Sequence, residues 1–109
     1  MNRKTIYIAG PMKGYEDNNR RAFTDAEWRL GEAGWHVVNP ANFDAVFGKA
    51  DGKLLDACME AELAAIPHLD AIYLLKGWER SEGARKELLV ALQCKKMILV
   101  EGADGETAA

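Results

Sequence analysis

Cysteine is scarce in this 109-residue chain: Cys58 and Cys94 are the only two. Each falls in a helix-like stretch and no Cys-x-x-Cys occurs, so no disulfide framework or zinc knuckle is encoded. The thiols read as reduced and packed, which points to a cytoplasmic location. Histidine is as scarce. His36 and His68 stand apart, without ligand spacing, so no metal site and no cofactor are expected. No run of Lys or Arg suggests a duplex footprint and the net charge is −3, which argues against duplex nucleic acid as a partner. Isolated basic residues can still hold a single phosphate. No apolar run approaches the ~20 residues of a membrane span, so no membrane partner is expected. The opening MNRKTIYIAG is broken by glycine too early to read as a signal peptide. No internal repeat or linker interrupts the chain.

What the chain does have is 49% hydrophobic and 28% charged residues, enough for one compact domain over 1–109 with a modest core. The small, polar end at 102–109 is expected to be a flexible tail. TIYIAG is a short β-rich run and GPMKG a turn-rich loop. Asp17 or Asn18 is placed to cap a first helix, which lines Phe23, Ala26, Leu30 and Ala33 on one face and stops at Gly34. Trp28 points off that stripe. WHVVNP is a second strand closed by Asn39-Pro40. Residues 41–53 form a loop long enough to wall a site. Lys53–Ile66 is a second helix ended by Pro67, DAIYLL a third strand, Ser81–Lys95 a third helix, and KMILVEG a fourth strand.

Strand–helix repeated three times and then a strand, with nearly continuous apolar strands, predicts an α/β fold. The sheet is parallel, with helices on both faces. Right-handed crossovers make it doubly wound, with about four strands in the order 2-1-3-4. The topological switch then lies between strands one and three, and ligands bind beyond the strand ends there. The loops at that place are GPMKG and KGWERS.

Two helices carry a carboxylate on the wrong face. In the third, Ala84, Leu88, Ala91 and Leu92 gather on one side of a helical wheel, with Val90 and Cys94 extending the arc. Glu87 falls inside that arc, between Ala91 and Cys94, while Leu89 lies on the polar side with Glu82, Arg85 and Lys86. In the second, Leu55, Met59 and Ile66 define the stripe and Glu62 falls in its middle. An unpaired buried carboxylate costs several kcal/mol or is driven to hold its proton. A structural ion pair would account for one such residue. Two of them, on helices flanking the third strand, suggest a pocket walled by carboxylates. Paired carboxylates in unlike surroundings suit acid/base or nucleophilic work at a sugar carbon.

The loops carry less specific signals. Ser81 is a good N-cap, and a helix N-terminus is also an anion site; capping alone accounts for it. Gly83 in the first turn permits close approach of a ligand. GPMKG, with Gly10, Pro11 and Lys13, lacks the ending of a phosphate loop and the spacing of a dinucleotide fingerprint. A plain strand-to-helix turn explains it as well. Trp78 can stack on a base or pack against the fold. Tyr7 in the first strand reads as core.

Taken together, YIAGPMKG, the NP after strand two and LDAIYLLKGWERSEGARKE resemble the nucleoside 2-deoxyribosyltransferase superfamily. Within it, the closest likeness is to the domain-of-unknown-function 4406 family of phages and bacteria. The likeness runs from Tyr7 to about Val100, and GWERSEGARKE is its most specific part. It implies a flavodoxin-like sheet and cleavage or exchange of the N-glycosidic bond of a nucleoside or nucleotide, with no metal and no cofactor. By the same resemblance Glu87 attacks the anomeric carbon, Glu62 is the acid/base, and Tyr7 lies near the sugar. Ser81, Gly10 and Lys13 hold a 5′-phosphate, and Trp78 and Gly83 line the substrate. Glu62 stands where an Asp is usual, and Pro11 where the monophosphate hydrolases carry a small hydroxyl donor. The implied partners are a small nucleoside or nucleotide and a second copy of the chain in a homodimer. Nucleotide binding or sensing without turnover is the rival reading.

Overall fold

The computed structural model describes residues 3–42 and 52–102, and over 52–58 the backbone alone. Among the described residues, the strands β1 (Thr5–Ala9), β2 (His36–Val38), β3 (Ala71–Leu74) and β4 (Met97–Val100) alternate with the helices α1 (Arg20–Glu32), α2 (Gly52–Ala65) and α3 (Glu82–Gln93). Every strand pairing is parallel, and the order is β2-β1-β3-β4. This is the expected α/β arrangement. β1 and β3 lie at the centre, paired on both sides. Their burial barely alternates, as a sheet covered on both faces requires.

Successive side chains of a strand face opposite ways, so the sheet has two cores. Ile6, Ile8, Ala71, Tyr73 and Leu75 meet Phe23, Ala26 and Leu30 of α1. Tyr7, Ala9, Ile72 and Leu74 meet Ala84 and Ala91 of α3 and Ile66, in the 3-10 turn Ile66–His68 that follows α2. Tyr7 thus projects its ring toward the α2 and α3 side. In register it lies between Val38 of β2 and Ile72 of β3.

Several local expectations change. Neither Asp17 nor Asn18 caps α1. They sit with left-handed backbone (φ 49° and 53°) in a 3-10 segment, Glu16–Asn19, and Asn19 occupies the cap position without a side-chain cap bond. The Asn19 amide instead donates to the Pro11 carbonyl (2.9 Å), tying the helix start to the loop after β1. Asp17 pairs with Arg20 at 3.4 Å. Ala33 is exposed rather than on the buried face, because α1 ends at Glu32 before Gly34 turns with φ 102°. α3 stops at Gln93, not Lys95, where the backbone turns left-handed (φ 58°). Leu92 is 54% exposed, so it lies off the buried face to which the wheel assigned it. α2 ends at Ala65 instead of Ile66, and Pro67 lies in the 3-10 turn that follows it. Asn39, expected only to close β2, is buried. Its amide donates to Glu27 Oε1 and its Oδ1 accepts from the Ala41 amide, both at 2.9 Å. The expected 41–53 loop and the 102–109 tail lie mostly outside the described residues, as do the side chains of Leu55 and Cys58.

Candidate functional site

The buried face of α3 is the row Ala84, Glu87, Ala91, spaced i, i+3, i+7. The flanking alanines let the helix lie close to the sheet, and the carboxylate between them is buried; Glu87 is 4% exposed. It meets the Tyr7 hydroxyl, which is also buried. The same Tyr7 oxygen lies 2.8 Å from Glu62 Oε2, reached from half-buried Glu62 on α2. Three elements thereby deliver three acidic groups to one point: β1 the phenol, α2 and α3 a carboxyl each. Both carboxyls lie on the same side of the sheet, as the paired-site reading requires.

Burial, the largest cause, raises the Glu87 carboxyl from 4.5 to about 9. Its hydrogen bond with Tyr7 pulls the other way, while the charge of Glu62 and a hydrogen bond with it push further up. Burial and then the two carboxylates also hold the Tyr7 phenol well above its usual range. Glu87 is therefore a neutral acid at neutral pH. A phenol has a single hydrogen, so Tyr7 cannot donate to two carboxyls at once. The phenol is placed to donate to either carboxyl, and a proton on one of them lets both contacts be hydrogen bonds at once. The arrangement joins two carboxyls in unlike surroundings, one buried and one half-buried, through a shared oxygen. That is the pairing that acid/base and nucleophilic chemistry at a single bond calls for.

The remaining candidates surround this cluster unevenly. Ser81 caps α3, its Oγ accepting from the Ala84 amide at 3.1 Å. Above Gly83 sits the Met59 methyl, 2.8 Å from where a Cβ would stand, so that space holds a flexible thioether end. Gly10 packs inward: a Cβ there would lie 2.7 Å from Leu75 Cβ. Pro11 is buried and Lys13 exposed. Trp78 is half-buried against the core that contains Tyr7 and Ala84. Tyr7, Glu62 and Glu87 are thus in direct contact, Ser81 and Gly83 form the adjoining helix start, and Lys13 stands out on its loop.

Two residues outside the expected site set, Met59 and Tyr15, belong to this region. Met59 covers Gly83, and Tyr15 covers Gly77. Gly77 has φ 89°, and a Cβ on it would lie 2.7 Å from the Tyr15 hydroxyl and 3.2 Å from Pro11 Cγ. The loops after β1 and β3 therefore touch across the topological switch. Only the turn-forming glycine hints at this in the sequence, because the contact is tertiary. Arg85 and Lys86 take no part: Arg85 donates to the Glu79 carbonyl (2.7 Å) and Lys86 pairs with Glu82 (3.2 Å). Among the described residues, no group of three or more His, Cys, Asp or Glu is placed to hold a metal ion, and no helix is long and apolar enough to cross a membrane. An open depression of about 600 Å³ lies beside Trp28, Trp35 and His36. It belongs to the α1 side of the sheet, away from the carboxyls, and is not this site.

The class so defined is a parallel α/β protein with a buried tyrosine–dicarboxylate cluster at its switch. The chain matches the family described as Domain of unknown function (DUF4406) over residues 4–100, and it belongs to that family. A search of curated proteins finds no match to it.

Proposed function

We propose that this protein is an N-glycosidase that cleaves the base–sugar bond of a nucleoside 5′-monophosphate, with a deoxynucleotide as the favoured substrate. The observation that carries the reading is the Tyr7 hydroxyl in contact with both Glu62 and Glu87. The resemblance to the nucleoside 2-deoxyribosyltransferase superfamily supplies the reaction. Glu87 answers the positive charge that develops on the sugar, and a carboxylate does this without a metal. Glu62 protonates the departing base and then activates water. Ser81, the amides of the α3 start and Lys13 hold the phosphate, while Trp78 lines the base. Transfer of the sugar to a second base is the nearest variant. The cysteine usage and the same resemblance support a cytoplasmic homodimer.

A second reading, nucleotide binding without turnover, is favoured by one observation: a neutral Glu87 is no nucleophile as it stands. Incubation with deoxy- and ribonucleoside monophosphates, followed by chromatography of free base, separates the two. Base release that disappears in Glu87→Gln supports the glycosidase. Binding with no base released over days supports the sensor, and failure to bind any nucleotide removes both.

A further inference from the structure

We infer that Tyr7 joins Glu62 and Glu87 into one proton-sharing unit that arms both carboxyls in a single event. One hydrogen beyond the phenol's own belongs to the unit. In one arrangement Glu87 donates to the Tyr7 oxygen and Tyr7 donates to Glu62. In the other, Glu62 donates to the Tyr7 oxygen and Tyr7 donates to Glu87. The same two contacts serve both, Tyr7 with Glu62 at 2.8 Å and Tyr7 with Glu87, so no heavy atom has to move. The exchange balances: Glu87 loses a proton to the phenol oxygen as the phenol hydrogen passes to Glu62, and Tyr7 is left unchanged.

Burial sets which arrangement rests. Glu87 is almost fully enclosed and Glu62 only half-buried, so desolvation puts the larger share of the charge on the Glu62 side, with both arrangements populated in the free protein. A cationic sugar carbon beside Glu87 reverses that preference, because opposite charge favours the ionised carboxylate. Among the described residues, the groups that face the phenol are Glu62 from α2 and Glu87 from α3. The nearby cations Arg85 and Lys86 are engaged elsewhere.

Used in the proposed reaction, on which this part rests, the exchange resolves the objection that Glu87 is neutral. Once Glu87 is a carboxylate, it bonds to the anomeric carbon as the carbon–nitrogen bond breaks. The electron pair leaves with the base, whose nitrogen takes the proton now on Glu62. Water then gives a proton to Glu62 and its oxygen to the sugar carbon, releasing Glu87. The unit ends with the same number of protons with which it began.

The sharing itself is a property of the free protein and is tested without substrate. The side-chain carboxyl carbons of Glu62 and Glu87 are followed by ¹³C NMR through a pH titration. Sharing predicts that both carbons move together at the upper step, Glu62 by a sizeable fraction of a full ionisation shift. In Tyr7→Phe the Glu62 response at that step collapses while Glu87 still titrates, at higher pH, because a stabilising hydrogen bond is gone. A Glu62 carbon that stays silent at the upper step in the wild-type protein overturns the inference, whether or not the variant folds. Base release from nucleotides together with a silent Glu62 would leave the glycosidase standing and remove only the shared proton.

Discussion

Replacing Glu87 with Gln should stabilise the protein, and by an amount that grows with pH. In the unfolded chain this carboxyl ionises near 4.5, whereas in the fold it keeps its proton up to about 9. Between those values the folded state binds one more proton than the unfolded state, so stability falls as pH rises. The slope for one proton is about 1.4 kcal/mol per pH unit. The accumulated cost is roughly 3 kcal/mol at pH 7 and on the order of 6 kcal/mol by pH 9. A Gln amide matches the neutral carboxyl in shape and in having both a donor and an acceptor. It can accept from the Tyr7 hydroxyl, or donate to its oxygen, without ever ionising. The assay is urea denaturation of both proteins between about pH 5 and 9, with the difference in unfolding free energy plotted against pH. The difference should be small at the acid end and then climb at close to the one-proton slope, flattening near pH 9. A flat difference across the window, or a wild-type protein that gains stability from pH 5 to 7 relative to the variant, would show Glu87 ionised in the fold and refute the reasoning.

Other perturbations probe the surroundings of the cluster. Gly10→Ala drives a Cβ to 2.7 Å from Leu75 Cβ between the ends of β1 and β3; a loss of about 1–3 kcal/mol in unfolding free energy is expected, readable in the denaturation midpoint. Ser81→Ala removes the acceptor of the Ala84 amide at the start of α3 and should cost about 1 kcal/mol. Its affinity for a nucleoside monophosphate should fall more than that for the matching nucleoside, measured by calorimetry; equal losses would leave Ser81 a cap and nothing more. Gly77→Ala combines a left-handed backbone with a clash on Tyr15 and should lower the melting temperature more than Gly31→Ala, where a Cβ meets nothing within 4 Å.

The sheet was legible because its central strands are uninterrupted apolar runs and because crossover chirality leaves few orders open. Glu87 was legible for a related reason. Ala84, Leu88 and Ala91 fix one face of the helix strongly enough that a carboxylate within it stands out. What periodicity could not give is which part of the apolar arc meets the sheet. Ala84, Glu87 and Ala91 are the residues buried there, and Leu92 is left 54% exposed. Local rules also misjudged the start of α1, where the Asn19 amide is drawn to the Pro11 carbonyl instead of to its own helix. The part played by Tyr7 is of a third kind. From its neighbours in sequence it is one more apolar strand residue. Only the approach of two helices, 55 and 80 residues further on, makes its hydroxyl the meeting point of two acids.

The central claim is that these two acids act together on a glycosidic bond. The most direct measurement is the release of free base from nucleoside 5′-monophosphates by the wild-type protein beside Glu87→Gln and Glu62→Gln. The account predicts release by the wild-type protein, loss of at least a hundredfold on removing either carboxyl, and both variants folded. Release that survives Glu87→Gln at the wild-type rate, or no release from any monophosphate that the protein binds, would contradict it.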